Sequence, residues 1–121
     1  MRCVLDTNAA IVVIDHRAVR ELGSFDEYVV SVVTEIELLS WKRIVPEEEA
    51  RVRAFLRRTP IAPITEAVKA QAIALRRDHG PKLPDAIVAG TALAVGGTLV
   101  TNDRRLFGLP GLAMQSFTLT P

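Results

Sequence analysis

The feature that most constrains the fold is a recurring step in which a short apolar run ends at a polar residue. The run Arg2–Leu5 stops at Asp6, and the run Thr98–Thr101 stops at Asn102 and Asp103. Short runs of this kind favour strands, whereas Asp and Asn are common at helix starts and in turns. Parallel strands need a crossover that is usually a helix. The sequence therefore predicts parallel strands alternating with helices.

Between these two steps the chain shows further strand and helix patterns. In order, the predicted elements are a strand at 28–31, a helix within 34–43, a helix from Pro46 to Arg58, a short edge strand at 61–64, a helix capped by Thr65 that ends at His79, a buried helix from Pro84 to Val95 and, after the strand at 98–101, a strand at 112–115. Small residues in the helix from Pro84, including Gly90, predict that another backbone approaches it closely.

Length and composition favour one compact domain. The chain has 121 residues, of which 49% are hydrophobic and 24% charged, enough for one buried core. We expect a single α/β domain over residues 1–121, with a central, mainly parallel sheet of about four to five strands covered by helices on both faces.

Charge and cysteine content narrow the location and the partners. The formal net charge of +1 does not by itself indicate nucleic-acid binding. No apolar stretch approaches the ~20 residues of a membrane span, so we expect no membrane association. The single cysteine, Cys3, has no partner for an internal disulfide, and a reducing cytoplasm is therefore the expected location.

Four acidic residues from separated parts of the chain are expected at one edge of the sheet. Asp6 and Asp103 follow strands, Asp85 opens a helix, and Glu37 lies after the second strand. Each has an ordinary explanation when taken alone. Asp is a common helix cap, and an Asp at the position of Asp85 is more often a cap than a functional residue. Thr34 and Glu37 have the spacing of a capping box, in which the glutamate side chain bonds the backbone of the threonine.

Taken together, these acids call for a different explanation. Several carboxylates in one pocket repel one another, and such a pocket is tolerated only when protons or cations neutralise it. Mg²⁺ prefers oxygen ligands and often completes its coordination with phosphate oxygens. The acidic group therefore predicts metal-assisted hydrolysis of a phosphodiester bond.

Four short motifs resemble those of a known family. In chain order they are Leu5-Asp6-Thr7-Asn8, Thr34-Glu35-Ile36-Glu37-Leu38, Leu83–Ala92 and Val100-Thr101-Asn102-Asp103. In this order they resemble the motifs of the PIN domain, and a chain of this size resembles the VapC-like toxins of toxin–antitoxin pairs. The resemblance implies a three-layer α/β/α fold and an endoribonuclease that depends on Mg²⁺ or Mn²⁺. The acids that would bind the metal and act in catalysis are Asp6, Glu37, Asp85 and Asp103.

The resemblance also assigns roles to other polar residues. Those that would orient the carboxylates or water are Asn8, Thr101 and Asn102, which are equally typical of ordinary turns. The cations that would contact RNA phosphates are Arg76, Arg77, Lys82, Arg104 and Arg105, each of which also fits a solvated surface charge. Glu35 and Glu37 point to nearly opposite faces of a helix, and the motif favours Glu37 at the site.

The resemblance implies three partners: an RNA substrate, a second copy of the chain in a homodimer, and an antitoxin that lays a segment across the active cleft. Two alternatives stay open. One is a catalytically silent PIN-fold protein that only binds RNA. The other, less favoured, is a receiver-type signalling domain. Such a domain needs adjacent acids after its first strand, whereas Asp6 is followed by Thr7 and Asn8.

Overall fold

Strands and helices alternate through residues 2–16 and 27–118, which are the residues that the computed structural model describes. The strands are β1 (Arg2–Leu5), β2 (Glu27–Ser31), β3 (Ile61–Ala62), β4 (Thr98–Val100) and β5 (Met114–Gln115). They form one sheet in the order β3–β2–β1–β4–β5, and every neighbouring pair is parallel. The predicted parallel sheet is confirmed, with the short β3 at an edge as Pro63 requires.

Helices connect the strands and cover the sheet. They are α1 (Thr7–Ile14), α2 (Val32–Leu39), α3 (Pro46–Arg58), α4 (Glu66–His79) and α5 (Leu83–Val95), and a single 3₁₀ turn spans Arg104–Leu106. The bounds of α3 agree with the prediction, and Thr65 caps α4 by accepting a hydrogen bond from the Val68 N–H at 3.2 Å. No helix in the described part of the chain is long and apolar enough to cross a membrane.

The two faces of the sheet have separate hydrophobic cores. Side chains alternate along a strand, and in β1 Cys3 and Leu5 pack with residues of α1 and α3, including Phe55. Val4 points the other way and packs with residues of α4 and α5, including Leu75. This arrangement confirms the predicted three-layer α/β/α fold.

The close approach predicted for the helix from Pro84 is seen between α4 and α5. A Cβ atom at Gly90 would lie 3.1 Å from both the Val68 carbonyl oxygen and the Ala72 backbone nitrogen. These distances are shorter than ordinary van der Waals contact, so glycine suits the close approach of the two backbones and a larger residue would push them apart. The α4–α5 pair forms one complete layer of the fold.

The capping box that Thr34 and Glu37 fit in sequence, the ordinary explanation of Glu37, is not formed. The helix α2 begins two residues before Thr34, and its cap is Ser31, whose side-chain oxygen accepts from the Val33 N–H at 3.0 Å. Ser31 is also the last residue of β2 and has an extended backbone, so the strand leads into the helix without a loop. Thr34 is consequently a buried residue inside α2, and the carboxylate of Glu37 is not used for capping.

Candidate active site

The ends of β1 and β4 lie side by side and bring two of the predicted acids together. The Asp6 N–H donates to the Val100 carbonyl at 3.2 Å, and the Asp6 side chain caps α1 by accepting from the Ala9 N–H at 2.8 Å. The buried hydroxyl of Thr101 hydrogen-bonds the Asp6 carboxylate and accepts from the Asp103 N–H at 3.0 Å. Thr101 therefore links Asp6 to Asp103, which fits an orienting role.

The helix α5 brings Asp85 to the same edge of the sheet. The C-terminal end of α5 lies at the start of β1, where Arg2 Nη1 donates to the Val95 carbonyl at 3.5 Å, so the first turn lies where the strands end. Asp85 is in that first turn, but the cap position is Lys82, which makes no side-chain capping bond. Asp85 is thus not the structural cap that its local sequence favours.

The acid on α2 that lies on this side is Glu37, as the motif predicts. Its Oε1 accepts a hydrogen bond from the hydroxyl of Thr7, the first residue of α1. Glu35 lies on the other side of α2, where it lines a groove with Arg53 and Arg57. The predicted difference in direction between the two glutamates is therefore confirmed.

Burial and mutual repulsion disturb the acids of this group. The pKa of Asp6 is raised above its usual value, mainly by burial and further by the charges of Asp103 and Asp85. The pKa of Asp85 is also raised, first by burial, then by the charges of Asp103 and Glu37. The charges of Asp103, Asp85 and Glu37 therefore reach a neighbouring acid, as expected for a shared acidic site.

One cation, Arg105, lies against two of the acids. Its Nε and Nη2 donate to the two oxygens of Asp103 at 3.0 and 2.8 Å, and its Nη2 lies 4.0 Å from Asp85 Oδ2. Hydrogen bonding by Arg105 is the largest cause that lowers the pKa of Asp103. Sequence reasoning offered Arg105 as a contact to RNA phosphate, and the structure gives its guanidinium two carboxylates instead.

The donors present suit a divalent cation in kind. Partly buried carboxylates that lie near other carboxylates gain free energy from a bound cation, and oxygen ligands are those that Mg²⁺ and Mn²⁺ prefer. Within residues 2–16 and 27–118, however, no three acidic, histidine or cysteine side chains are placed to hold one ion together.

The other predicted residues have varied surroundings. The Asn102 amide donates to the Phe117 carbonyl and accepts from the Phe117 N–H, both at 2.9 Å, so it fastens the C-terminal segment. Arg76 donates to the Pro81 carbonyl at 3.2 Å. The remaining predicted residues, all exposed, are Asn8, Arg77, Lys82 and Arg104. Of these, Lys82 is near enough for its charge to lower the pKa of Asp85 and Asp103.

Sequence reasoning missed an apolar groove beside the acids. A cavity of about 430 Å³ between α1, α2 and α3 is lined by Thr7, Glu37, Ile11 and Trp41, among others. The Trp41 side chain is 64% exposed at this groove. A large aromatic residue four positions after Glu37, just beyond the end of α2, was the available signal, because aromatic residues are enriched in binding surfaces.

Comparison with known proteins places the fold in a family. The sequence profile of the PIN domain matches residues 3–111. The chain belongs to the PIN domain family. No curated protein sequence matches this PIN domain closely enough to count as a relative.

Solved structures agree with this PIN fold. A toxin–antitoxin complex from Klebsiella pneumoniae contains a chain that is 29% identical, with a TM-score of 0.74, and the match covers 92% of this PIN domain and 95% of that chain. VapBC2 from Rickettsia felis, bound to a promoter DNA fragment, gives a TM-score of 0.79 at 19% identity, covering 98% and 100%. DNA-bound VapBC from Salmonella typhimurium gives 0.78 at 24% identity, covering 96% and 98%. The expected resemblance to VapC-like PIN proteins is confirmed in family and fold.

Proposed function

We propose that this PIN domain is a metal-dependent endoribonuclease and the toxin of a toxin–antitoxin pair, acting as a single domain over residues 1–121. The observation that carries the proposal is the meeting of acids at the carboxyl edge of a parallel sheet, where burial first, and then the charges of neighbouring acids, raise the pKa of Asp6 and Asp85. Such an arrangement costs stability, and a cost of this kind is common at catalytic sites. The likeness to the toxin–antitoxin complex of K. pneumoniae supports the assignment to such a pair.

The residues that would bind the cation are Asp6, Glu37, Asp85 and Asp103. When bound, Mg²⁺ or Mn²⁺ would supply Lewis acidity that activates water and stabilises the charge developing on the phosphate. Thr101 would keep Asp6 and Asp103 in place through its buried hydroxyl, and Thr7 would orient Glu37. No protein side chain is needed as a covalent nucleophile.

RNA binding needs positive charge around this acidic site, because carboxylates repel phosphates. Lys82 and Arg104 are exposed next to Asp85 and Asp103 in sequence, and Arg77 is exposed near the end of α4. These three cations are the best phosphate contacts among the predicted set, since Arg76 already bonds a backbone carbonyl and Arg105 pairs with carboxylates. The rejected alternative of a receiver domain conflicts with membership of the PIN family.

The apolar groove supports the expectation of an antitoxin partner. Its lining combines aliphatic side chains with the exposed Trp41 and includes Glu37, so a segment bound there would contact one of the four acids. The homodimer and the cytoplasmic location expected from the sequence stay predictions.

The matched pair Glu37→Gln and Glu35→Gln provides the decisive experiment. Both substitutions remove one negative charge from α2, but Glu37 faces the acids and Glu35 faces Arg53 and Arg57. Purified wild-type protein should cleave single-stranded RNA in Mn²⁺ or Mg²⁺ and stop on addition of EDTA. We expect Glu37→Gln to lose about a hundredfold in rate and Glu35→Gln to stay within about threefold.

The same assay distinguishes the remaining alternative. A silent PIN-fold protein would bind RNA in a gel-shift assay with the wild type, Glu35→Gln and Glu37→Gln alike, and none of them would cleave it. Equal cleavage by both variants would mean that the acids do not form the active site. Sequencing the ends of RNA from cells that express the toxin would then define the substrate.

A further inference from the structure

The guanidinium of Arg105 lies beside two of the site acids, 2.8 Å from Asp103 and 4.0 Å from Asp85. We propose that Arg105 is an internal counter-ion of the acidic site that a divalent cation must displace, so that Arg105 sets the cation concentration at which the site is loaded. This inference rests on the proposed function. It assigns to Arg105 a role in metal binding in place of the phosphate contact that its sequence position suggests.

The geometry orients the Arg105 guanidinium on Asp103 and brings it near Asp85. Two of its nitrogens donate to both oxygens of Asp103, at 3.0 and 2.8 Å, and one of them also lies 4.0 Å from Asp85. A two-bond contact between a guanidinium and a carboxylate is stronger and better oriented than a single ion pair. Oxygens that would serve as metal ligands are thereby engaged by a cation of the chain itself.

The pairing is built into the local backbone. Asp103 caps the 3₁₀ turn that contains Arg105, and Asp103 Oδ1 accepts the Arg105 backbone N–H at 3.0 Å. The partners are only two positions apart in the chain, so little chain entropy is lost when they meet. The contact should therefore form whenever nothing stronger competes for Asp103.

The contact is also easy to break. The Arg105 side chain is 66% exposed, and exposed ion pairs contribute little free energy because water and salt screen them. A cavity of about 260 Å³, lined by Arg105, Asp85 and Lys82 among others, leaves space beside the guanidinium into which it can turn away from Asp103. A divalent cation, with twice the charge, can thus replace Arg105.

A structural role and a competing role for Arg105 predict opposite changes in metal affinity when the side chain is removed. If Arg105 served to hold Asp103 in a geometry ready for metal, its loss would weaken metal binding. If it is a competitor, its loss removes both the contact to be broken and a positive charge beside the incoming cation. The sign of the change in metal affinity therefore separates the two roles.

The experiment is isothermal titration calorimetry of Mn²⁺ into the full-length chain, without RNA. The matched control is Arg53→Gln, because Arg53 is also an exposed arginine paired with a carboxylate, Glu49, at 2.8 Å, outside the acidic site. We expect Arg105→Gln to bind Mn²⁺ about tenfold more tightly than wild type, and Arg53→Gln to stay within about threefold. Thermal melts should show a lower Tm for Arg105→Gln in EDTA and a larger rise on adding Mn²⁺.

Unchanged or weaker Mn²⁺ binding by folded Arg105→Gln would overturn the inference while leaving the nuclease assignment intact. Absence of Mn²⁺ binding to all three proteins would overturn both. If Arg105→Gln does not fold, Arg105→Lys takes its place. It keeps the charge and loses the two-bond contact, so its affinity should rise about threefold, and no rise would count against the competitor role.

Discussion

The α4–α5 pair and the acidic edge of the sheet show two opposite uses of close contact. Gly90 lets the backbones of α4 and α5 approach closely. A Cβ atom placed on Gly90 would lie only 3.1 Å from backbone atoms of α4. At the acidic edge, Asp6, Asp85 and Asp103 approach closely enough for the charges of Asp103 and Asp85 to raise the pKa of a neighbour. The first contact buries apolar surface and stabilises the fold, whereas the second stores repulsion.

Folding alone explains the small residues between α4 and α5, but it does not explain the acids at the edge of the sheet. Small residues at a helix contact need no functional explanation, because the close packing that they allow stabilises the fold. Partly buried acids that repel one another oppose folding and need another reason to be there. Substitutions in the two regions should therefore have opposite consequences: loss of stability without a specific effect on chemistry in one, and loss of chemistry with little loss of stability in the other.

The largest effect expected is on the reaction, from Asp6→Asn. Asn caps helices about as well as Asp, so the bond from the Ala9 N–H is kept while one repelling charge is removed. We expect RNA cleavage to fall by about 10² to 10⁴ and the Tm in EDTA to stay level or rise. Cleavage assays and thermal melts measure the two effects. Asp78→Asn, at an exposed position of α4, is the control and should change neither.

A loss of stability together with normal cleavage in Asp6→Asn would break the comparison. In that case Asp6 would be a cap and nothing more, and the acidic edge would have the same explanation as the α4–α5 contact.

The next effect in size is on stability, from Gly90→Val. The new side chain would meet the Val68 carbonyl oxygen and the Ala72 nitrogen, both backbone atoms that cannot move without shifting α4. Overpacking of this kind costs about 1–3 kcal/mol, and urea denaturation measures it. Gly108→Val is the matched control, because a Cβ at Gly108 meets nothing within 4 Å and should cost far less. Equal costs would show that the α4–α5 contact is not tight.

The sequence predicts the ends of the strands, but it does not predict contacts made by exposed side chains or by distant helices. The register of parallel strands places Asp6 beside Thr101, and strand patterns reveal both ends, so this part of the site could be predicted. The partner of Arg105 could not be predicted, because an exposed guanidinium can bind carboxylate, phosphate or water, and the local sequence does not distinguish these partners. The groove at Trp41 was missed for a related reason, since three helices that are separate in the chain form it.

The cap of α2 shows a third limit. Thr34 and Glu37 fit a capping box in sequence, yet Ser31 at the end of β2 already supplies the capping oxygen. Element bounds depend on where the preceding strand stops pairing, which is a property of the sheet and not of the local motif.

A smaller effect is expected from Thr101→Val, which tests whether the buried hydroxyl serves the acids. Its loss frees Asp6 and the Asp103 N–H from their shared partner. We expect Mn²⁺ affinity to fall about tenfold, a typical cost of removing a group that orients metal ligands. Thr91→Val is the matched control: Thr91 is equally buried, but its hydroxyl donates to the Ile87 carbonyl within α5. Similar Mn²⁺ affinities for the two variants would reduce Thr101 to a packing residue.

The smallest effect is the pH dependence of stability in EDTA, and its sign differs between two neighbouring acids. The pKa of Asp85 is raised, chiefly by burial, so its favourable contribution is complete below the unfolded value of about 4 and is lost as the pH rises through the folded value. Asp85→Asn should therefore gain on wild type between about pH 4 and 7.

The pKa of Asp103 is lowered, chiefly by hydrogen bonding from Arg105, so its contribution is present above about pH 4 and is lost as the pH falls through the folded value. Asp103→Asn should thus be less stable than wild type at neutral pH and approach it in acid. Because both side chains are partly exposed, each difference should stay below about 1 kcal/mol in urea denaturation curves. Parallel pH curves for the two variants would mean that Arg105 does not distinguish Asp103 from Asp85, and the acidic edge would then be a uniform cluster of charges instead of one already divided by its own counter-ion.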